Sequence, residues 1–144
     1  QDVETIIQDP TVAVCSDGFG LSVGSRTEQS SVHPRAYGTF PRVLRKYVRE
    51  EKLLSLSTAV WKMTGLPAKA FSIPDRGQLK EGYTADITVF NPRTVSDRST
   101  FVNPHQYSEG VEYVMVKGVF SLKEGQLTGD GNGQVLRRKT EAVR

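Results

Sequence analysis

A carboxylate that closes an apolar run is the first residue in this chain with chemistry to offer. Asp17 follows Thr11-Val12-Ala13-Val14-Cys15-Ser16 and precedes Gly18. A β-branched run of this length reads as a buried strand, apolar on both faces, as in a parallel sheet covered on both sides. Such sheets gather functional groups at the C-terminal ends of their strands, where Asp17 stands. Asp and Gly are also what plain turns prefer, so the stretch alone leaves both readings open. A second cluster lies at His33-Pro34-Arg35-Ala36-Tyr37-Gly38-Thr39-Phe40-Pro41, where imidazole, guanidinium and phenol sit among prolines and a glycine. Prolines fix the backbone and glycine allows a tight bend, so these side chains can be held at low entropic cost. Cys15 is the only cysteine, which excludes an internal disulfide and a cysteine-cluster metal site. Its place in the apolar run predicts a small buried side chain.

Several elements must position these groups. Val3, Ile6 and Ile7 at helical spacing, ended by Asp9-Pro10, predict the last turns of a helix. The chain starts without an initiator Met, and a helix end followed at once by a buried strand asks for neighbouring strands. The expectation is a piece of a longer protein. Gly18 to Ser31, rich in Gly, Ser and Thr, predicts a long loop of the functional or mobile kind. From Phe40 to about Lys52, Val43, Leu44, Tyr47 and Val48 form one stripe opposite the arginines, an amphipathic helix for which Thr39 is the expected cap. Ser55 is the expected N-cap of the next helix, which runs to Gly65 just past its end and carries Trp61 into the core. From Ser72 onward short β-rich runs alternate with Gly and Asn-Pro: Asp86–Phe90, Tyr113–Val116 and Val119–Leu122, the last two joined in a hairpin at Lys117-Gly118. A loop over Gly129–Gly133 and a polar, basic tail follow.

Composition narrows the function classes. The chain has 144 residues, 37% apolar and 24% charged, ordinary for a soluble protein and a little poor in apolar residues for a complete core. Its apolar runs fall far short of the roughly 20 residues a membrane span needs, and the N-terminus lacks a basic region followed by an apolar block. A soluble, cytoplasmic chain is expected, with no membrane partner. The net charge of +3 is concentrated in Arg42, Arg45, Lys46, Arg49 and Arg137-Arg138-Lys139. Without an accompanying row of stacking aromatics these charges read as solvated faces, and no nucleic-acid partner is expected.

The ordered series Ser16-Asp17-Gly18, His33 to Leu44 and Met63-Thr64-Gly65-Leu66-Pro67-Ala68 resembles the C-terminal part of the N-acyl-D-amino-acid deacylases, or D-aminoacylases, of the metal-dependent amidohydrolase superfamily. The runs Asp75 to Phe90, Asn103-Pro104-His105-Gln106-Tyr107 and Val116-Lys117-Gly118 resemble that superfamily's C-terminal β-domain. The second block is specific to the deacylases, whereas Gly82 to Asp86 is shared more widely.

The resemblance implies an α/β plus β architecture: the end of a (β/α)8 barrel with part of an appended β-sandwich. Residues 1–71 would be the last βα segment and following helices, and 72–144 the C-terminal share of the sandwich with its basic tail. Asp17 matches the family carboxylate at the end of the eighth strand, a general base that takes a proton from metal-activated water and passes it to the departing amine. Arg35, with His33 and Tyr37, matches the block near the substrate, a small N-acyl-D-amino acid, where a planar guanidinium suits either a substrate carboxylate or a structural salt bridge; Ser16 and Gly18 are the further substrate-binding candidates. Zinc is the implied cofactor, with Asp17 as the one metal contact this chain could offer. The family's His-x-His element and its other metal ligands have no counterparts here, and two histidines, His33 and His105, are too few for a site of three protein ligands plus water. His105 reads as structural. The 18–32 loop is longer and poorer in His than the family's. The expected product pair is a carboxylate and a free D-amino acid, with the rest of the barrel as a required partner and no activity for this piece alone. A cyclic amidase of the same superfamily and a non-catalytic assembly module are the competing readings.

Overall fold

The computed structural model describes residues 2–24 and 32–137. Helix α1 spans Asp2–Gln8 and buries Ile7. It stops where expected, because the Asp9 carboxylate turns back to accept from both the N–H and the hydroxyl of Thr11, at 2.8 and 2.7 Å. The apolar run that follows pairs with no strand among the described residues. Val14 N–H donates to Lys62 O at 3.0 Å, but no ladder forms on either side of residues 12–16 among the described residues. A parallel strand is defined by its neighbours, and among the described residues the run has helices, not strands, beside it. Cys15 is accordingly exposed rather than buried. Lys62, almost wholly buried, reaches past the run to donate from Nζ to Asp9 O.

Helix α2 occupies Arg35–Arg42, so the helix begins ahead of the expected start at Phe40 and takes in most of the His33–Pro41 block, with Pro34 at its N-cap. Thr39 lies inside the helix, donating to Arg35 O at 2.9 Å, instead of capping the next one. Pro41 cannot donate to the preceding turn. The chain then continues as a π-helix over Val43–Glu50, whose apolar stripe is the predicted one: Val43 and Leu44 are buried, with Tyr47 and Val48 packed beside them. Helix α3 spans Leu56–Met63 and begins at the expected cap, Ser55, whose hydroxyl accepts from Thr58 N at 3.1 Å. Gly65 does not end the helical stretch but opens α4, Gly65–Ala70. The Trp61 ring lies over Gly65, where a Cβ would come within 2.1 Å of it, and Trp61 stays 38% exposed instead of entering the core.

The remaining chain forms one antiparallel sheet in the order β1 (Ile87–Phe90), β2 (Val111–Val116), β3 (Val119–Lys123) and β4 (Gln126–Leu127). Val116 faces Val119 across the predicted hairpin, and Lys117 and Gly118 both take positive φ, 54° and 79°, as a two-residue turn matched to strand twist requires. The Asp86 carboxylate holds this turn, accepting from Lys117 N at 2.8 Å and Arg76 Nε at 2.7 Å. The short β4, reached through Glu124-Gly125, has too little apolar pattern to be read from sequence.

Sheet and helices meet through buried charge. Val95, 1% exposed, joins Leu44, Leu54 and Ala59 in the core, with Phe90 and Val111 against them. Asp97, its side chain 7% exposed, accepts from Arg45 Nε at 2.7 Å and Arg42 Nη1 at 3.2 Å, while Arg45 Nη1 also donates to both Glu50 oxygens at 2.9 Å. Arg49 Nη1 donates to Pro92 O and Val95 O. Arg42, Arg45 and Arg49, expected as part of a solvated face, instead bind the β region to the helix. Arg137 is described, but the rest of the basic tail, 138–144, lies outside the described residues.

Burial works to raise the Asp97 carboxyl, but the hydrogen bond and charge of Arg45, then Arg42, outweigh it and hold it below the ordinary 3.8. A carboxyl lowered by folding adds stability above its unfolded value, and that stability is lost as pH falls through the folded one. Asp97→Asn is expected to cost about 2 kcal/mol at pH 7, less than a fully buried pair because both arginines keep some water. Urea unfolding should show this loss shrinking toward pH 3.

Candidate active site

Asp17 and Arg35 meet at the start of α2. Asp17 takes φ 46°, a conformation Asp tolerates better than most side chains, and this bends the chain at the end of the apolar run. Gly18 then passes directly over the first turn of α2: a Cβ there would stand 2.8 Å from Ala36 Cα. This close approach brings Arg35 within reach of its neighbour twice, Nη2 to the Asp17 carboxylate at 2.6 Å and Nε to Asp17 O at 3.0 Å. The Asp17 side chain is 80% exposed and that of Arg35 47%, so the pair faces open space.

The other expected site residues surround this pair unevenly. His33 Nδ1 accepts the Arg35 N–H at 3.1 Å, satisfying one of the orphan donors of the helix start, and its ring meets Phe101 edge-on at 4.9 Å. Tyr37 points elsewhere: its hydroxyl lies 3.2 Å from His105 Nδ1, and its ring stands edge-on to His105 and Tyr107. Ser16 is half-buried beside Asp17, and Gly18 acts through its lack of a side chain. Phe101, His105 and Tyr107 come from the 98–108 loop of the β region, which sequence reasoning did not place near Asp17; its Asn-Pro and aromatic content was the available signal. The expected loop from Gly18 to Ser31 is irregular through Gly24, and 25–31 lie outside the described residues.

The chemistry available is a solvent-facing carboxylate and a guanidinium with donors to spare, a base and an anion grip at one place. A metal is another matter. No group of three or more His, Cys, Asp or Glu side chains suited to a metal occurs among the described residues, and His33 and His105 are engaged with different partners. These residues do not fit a zinc site on their own.

The sequence profile of the amidohydrolase family matches residues 13–121. The D-aminoacylase of Alcaligenes xylosoxydans xylosoxydans is 43% identical over 137 residues, covering 95% of this chain and 27% of that protein. A crystal structure of D-aminoacylase, described as defining a novel subset of amidohydrolases, superimposes with a TM-score of 0.86 at 42% identity, over 95% of this chain and 27% of its own. N-acyl-D-glutamate deacylase from Bordetella bronchiseptica, in complex with zinc and a phosphonate mimic of the reaction's tetrahedral intermediate, superimposes at 0.82 with 42% identity, over 94% and 27%. The chain thus spans about a quarter of the length of the relatives it matches.

The close approach at Gly18 is the geometric condition for the Asp17–Arg35 pair. Gly18→Ala should force residues 17–18 away from α2 and cost about 1–3 kcal/mol, read as a lower urea midpoint. Gly20→Ala, where a Cβ meets nothing within 4 Å, should leave the midpoint unchanged.

Proposed function

The chain belongs to the amidohydrolase family, and on that premise we propose that it is part of a hydrolase that cleaves the linear amide of N-acyl-D-amino acids, releasing a carboxylate and a free D-amino acid. In this reading residues 1–71 close a (β/α)8 barrel and 72–144 belong to an appended β-sandwich. The lone Cys15 suits a reducing cytoplasm. The observation that carries the reading is the Asp17–Arg35 pair, a carboxylate and a guanidinium joined at 2.6 Å at the end of the apolar run in a chain of deacylase-like sequence.

An amide resists hydrolysis because water is a poor nucleophile and an amide nitrogen a poor leaving group. Asp17 answers both needs as a proton carrier: its carboxylate takes a proton as water oxygen bonds to the carbonyl carbon, then returns it to nitrogen as the C–N bond breaks. Arg35 binds the substrate's α-carboxylate through a guanidinium edge, with Nε kept on Asp17 O as a fixed pivot. His33 sets the first turn from which Arg35 extends. Zinc, present with the Bordetella relative, would have its main ligands outside these 144 residues, and when bound it would supply an activated water and polarise the amide carbonyl.

The test is release of D-amino acids from N-acetyl substrates by the full-length protein, with the L enantiomers alongside. Asp17→Asn should lower kcat by about a hundredfold or more, and wild-type turnover by that variant would sink the role given to Asp17. Arg35→Met should raise KM by about tenfold or more, as expected for loss of a charge-assisted hydrogen-bonding pair.

A further inference from the structure

The 98–108 loop belongs by sequence to the β region, yet it reaches back to the chain that leaves Asp17. It is stiffly built: Thr100 N–H donates to Asn103 O at 3.0 Å, and Gln106 Nε2 donates to both Arg98 O and Asn103 O at 2.8 Å. At its end Ser108 Oγ donates to Tyr37 O at 3.2 Å, and the Tyr107 ring packs against that of Tyr37, centroids 6.0 Å apart. From this platform Tyr107 Oη accepts the Val23 N–H at 3.0 Å, across 84 positions of sequence. Residues 18–22 form neither helix nor strand, and Phe19 among them is 81% exposed. Their near end is seated on α2 through Gly18, and Tyr107 holds their far end.

We propose that Tyr107 is a positioning residue of the candidate site: by accepting the Val23 N–H it fixes the 18–24 backbone beside the Asp17–Arg35 pair and so sets how tightly an N-acyl-D-amino acid is held there. The proposal rests on the deacylase reading above. It makes the β region a contributor to substrate binding through one hydrogen bond, without any of its own side chains entering the reaction.

Tyr107→Phe in the full-length enzyme removes the phenol oxygen and keeps the ring on Tyr37. Loss of one hydrogen bond should raise KM about fivefold and speed exchange of the Val23 amide by a similar factor. The kcat and the urea midpoint should stay near wild type, a split that a loosened fold would not give. An unchanged KM overturns the proposal, as does unchanged Val23 exchange, and so does a matched fall of kcat and urea midpoint. Failure of the wild-type enzyme to hydrolyse N-acyl-D-amino acids would defeat the deacylase reading and the substrate half of this one, with Val23 exchange still deciding whether Tyr107 anchors the loop.

Discussion

The interaction on which the rest of this structure depends is the grip of three helix arginines on the segment after β1. Asp97 is nearly buried and would be costly to leave alone, and Arg42 and Arg45 close over it while Glu50 neutralises the second guanidinium from the other side. Arg49 adds two backbone carbonyls of the same segment. Planar guanidiniums suit this work, because each can bind a carboxylate and a second acceptor in fixed directions. The result ties the helical half to the sheet where the core is thin: six buried apolar side chains among the described residues, of which only Val95 comes from the β region.

That tie has consequences for the site. With Val95 and Asp97 held against the helix, the loop that follows them is carried to the start of α2, and Phe101, His105 and Tyr107 arrive beside His33, Tyr37 and Val23. Gly38 belongs to the same arrangement, since a Cβ there would stand 3.1 Å from Asp97 Cβ. The ion network thus anchors the chain just before the loop whose aromatic groups stand near the start of α2.

Several apolar groups remain in water: Val3 and Ile6 on α1, Phe19, Phe71, Phe101 and Val102. Val3, Ile6, Ile7, the 12–15 run and Lys62 line a shallow groove.

Much of the fold was legible from residues alone, because local forces decide it. Ser55 caps a helix by its own hydroxyl, Lys117-Gly118 turns a hairpin by its own dihedral preferences, and the Val43-Leu44-Tyr47-Val48 stripe follows helical periodicity. The sequence also singled out Asp17 and Arg35 by type and order. It did not tell that the two would bond to each other, since that depends on Gly18 lying against Ala36, a contact between segments well apart in the sequence. It read Val12–Cys15 as a strand, which finds no pairing among the described residues because a strand is completed by neighbours and not by its own composition, and it misread Trp61 as core, because the ring follows the space above Gly65 rather than the stripe. The helix arginines looked like a solvated face for the same reason: their partner, Asp97, stands about fifty residues away, and only the folded chain brings a charge to meet them.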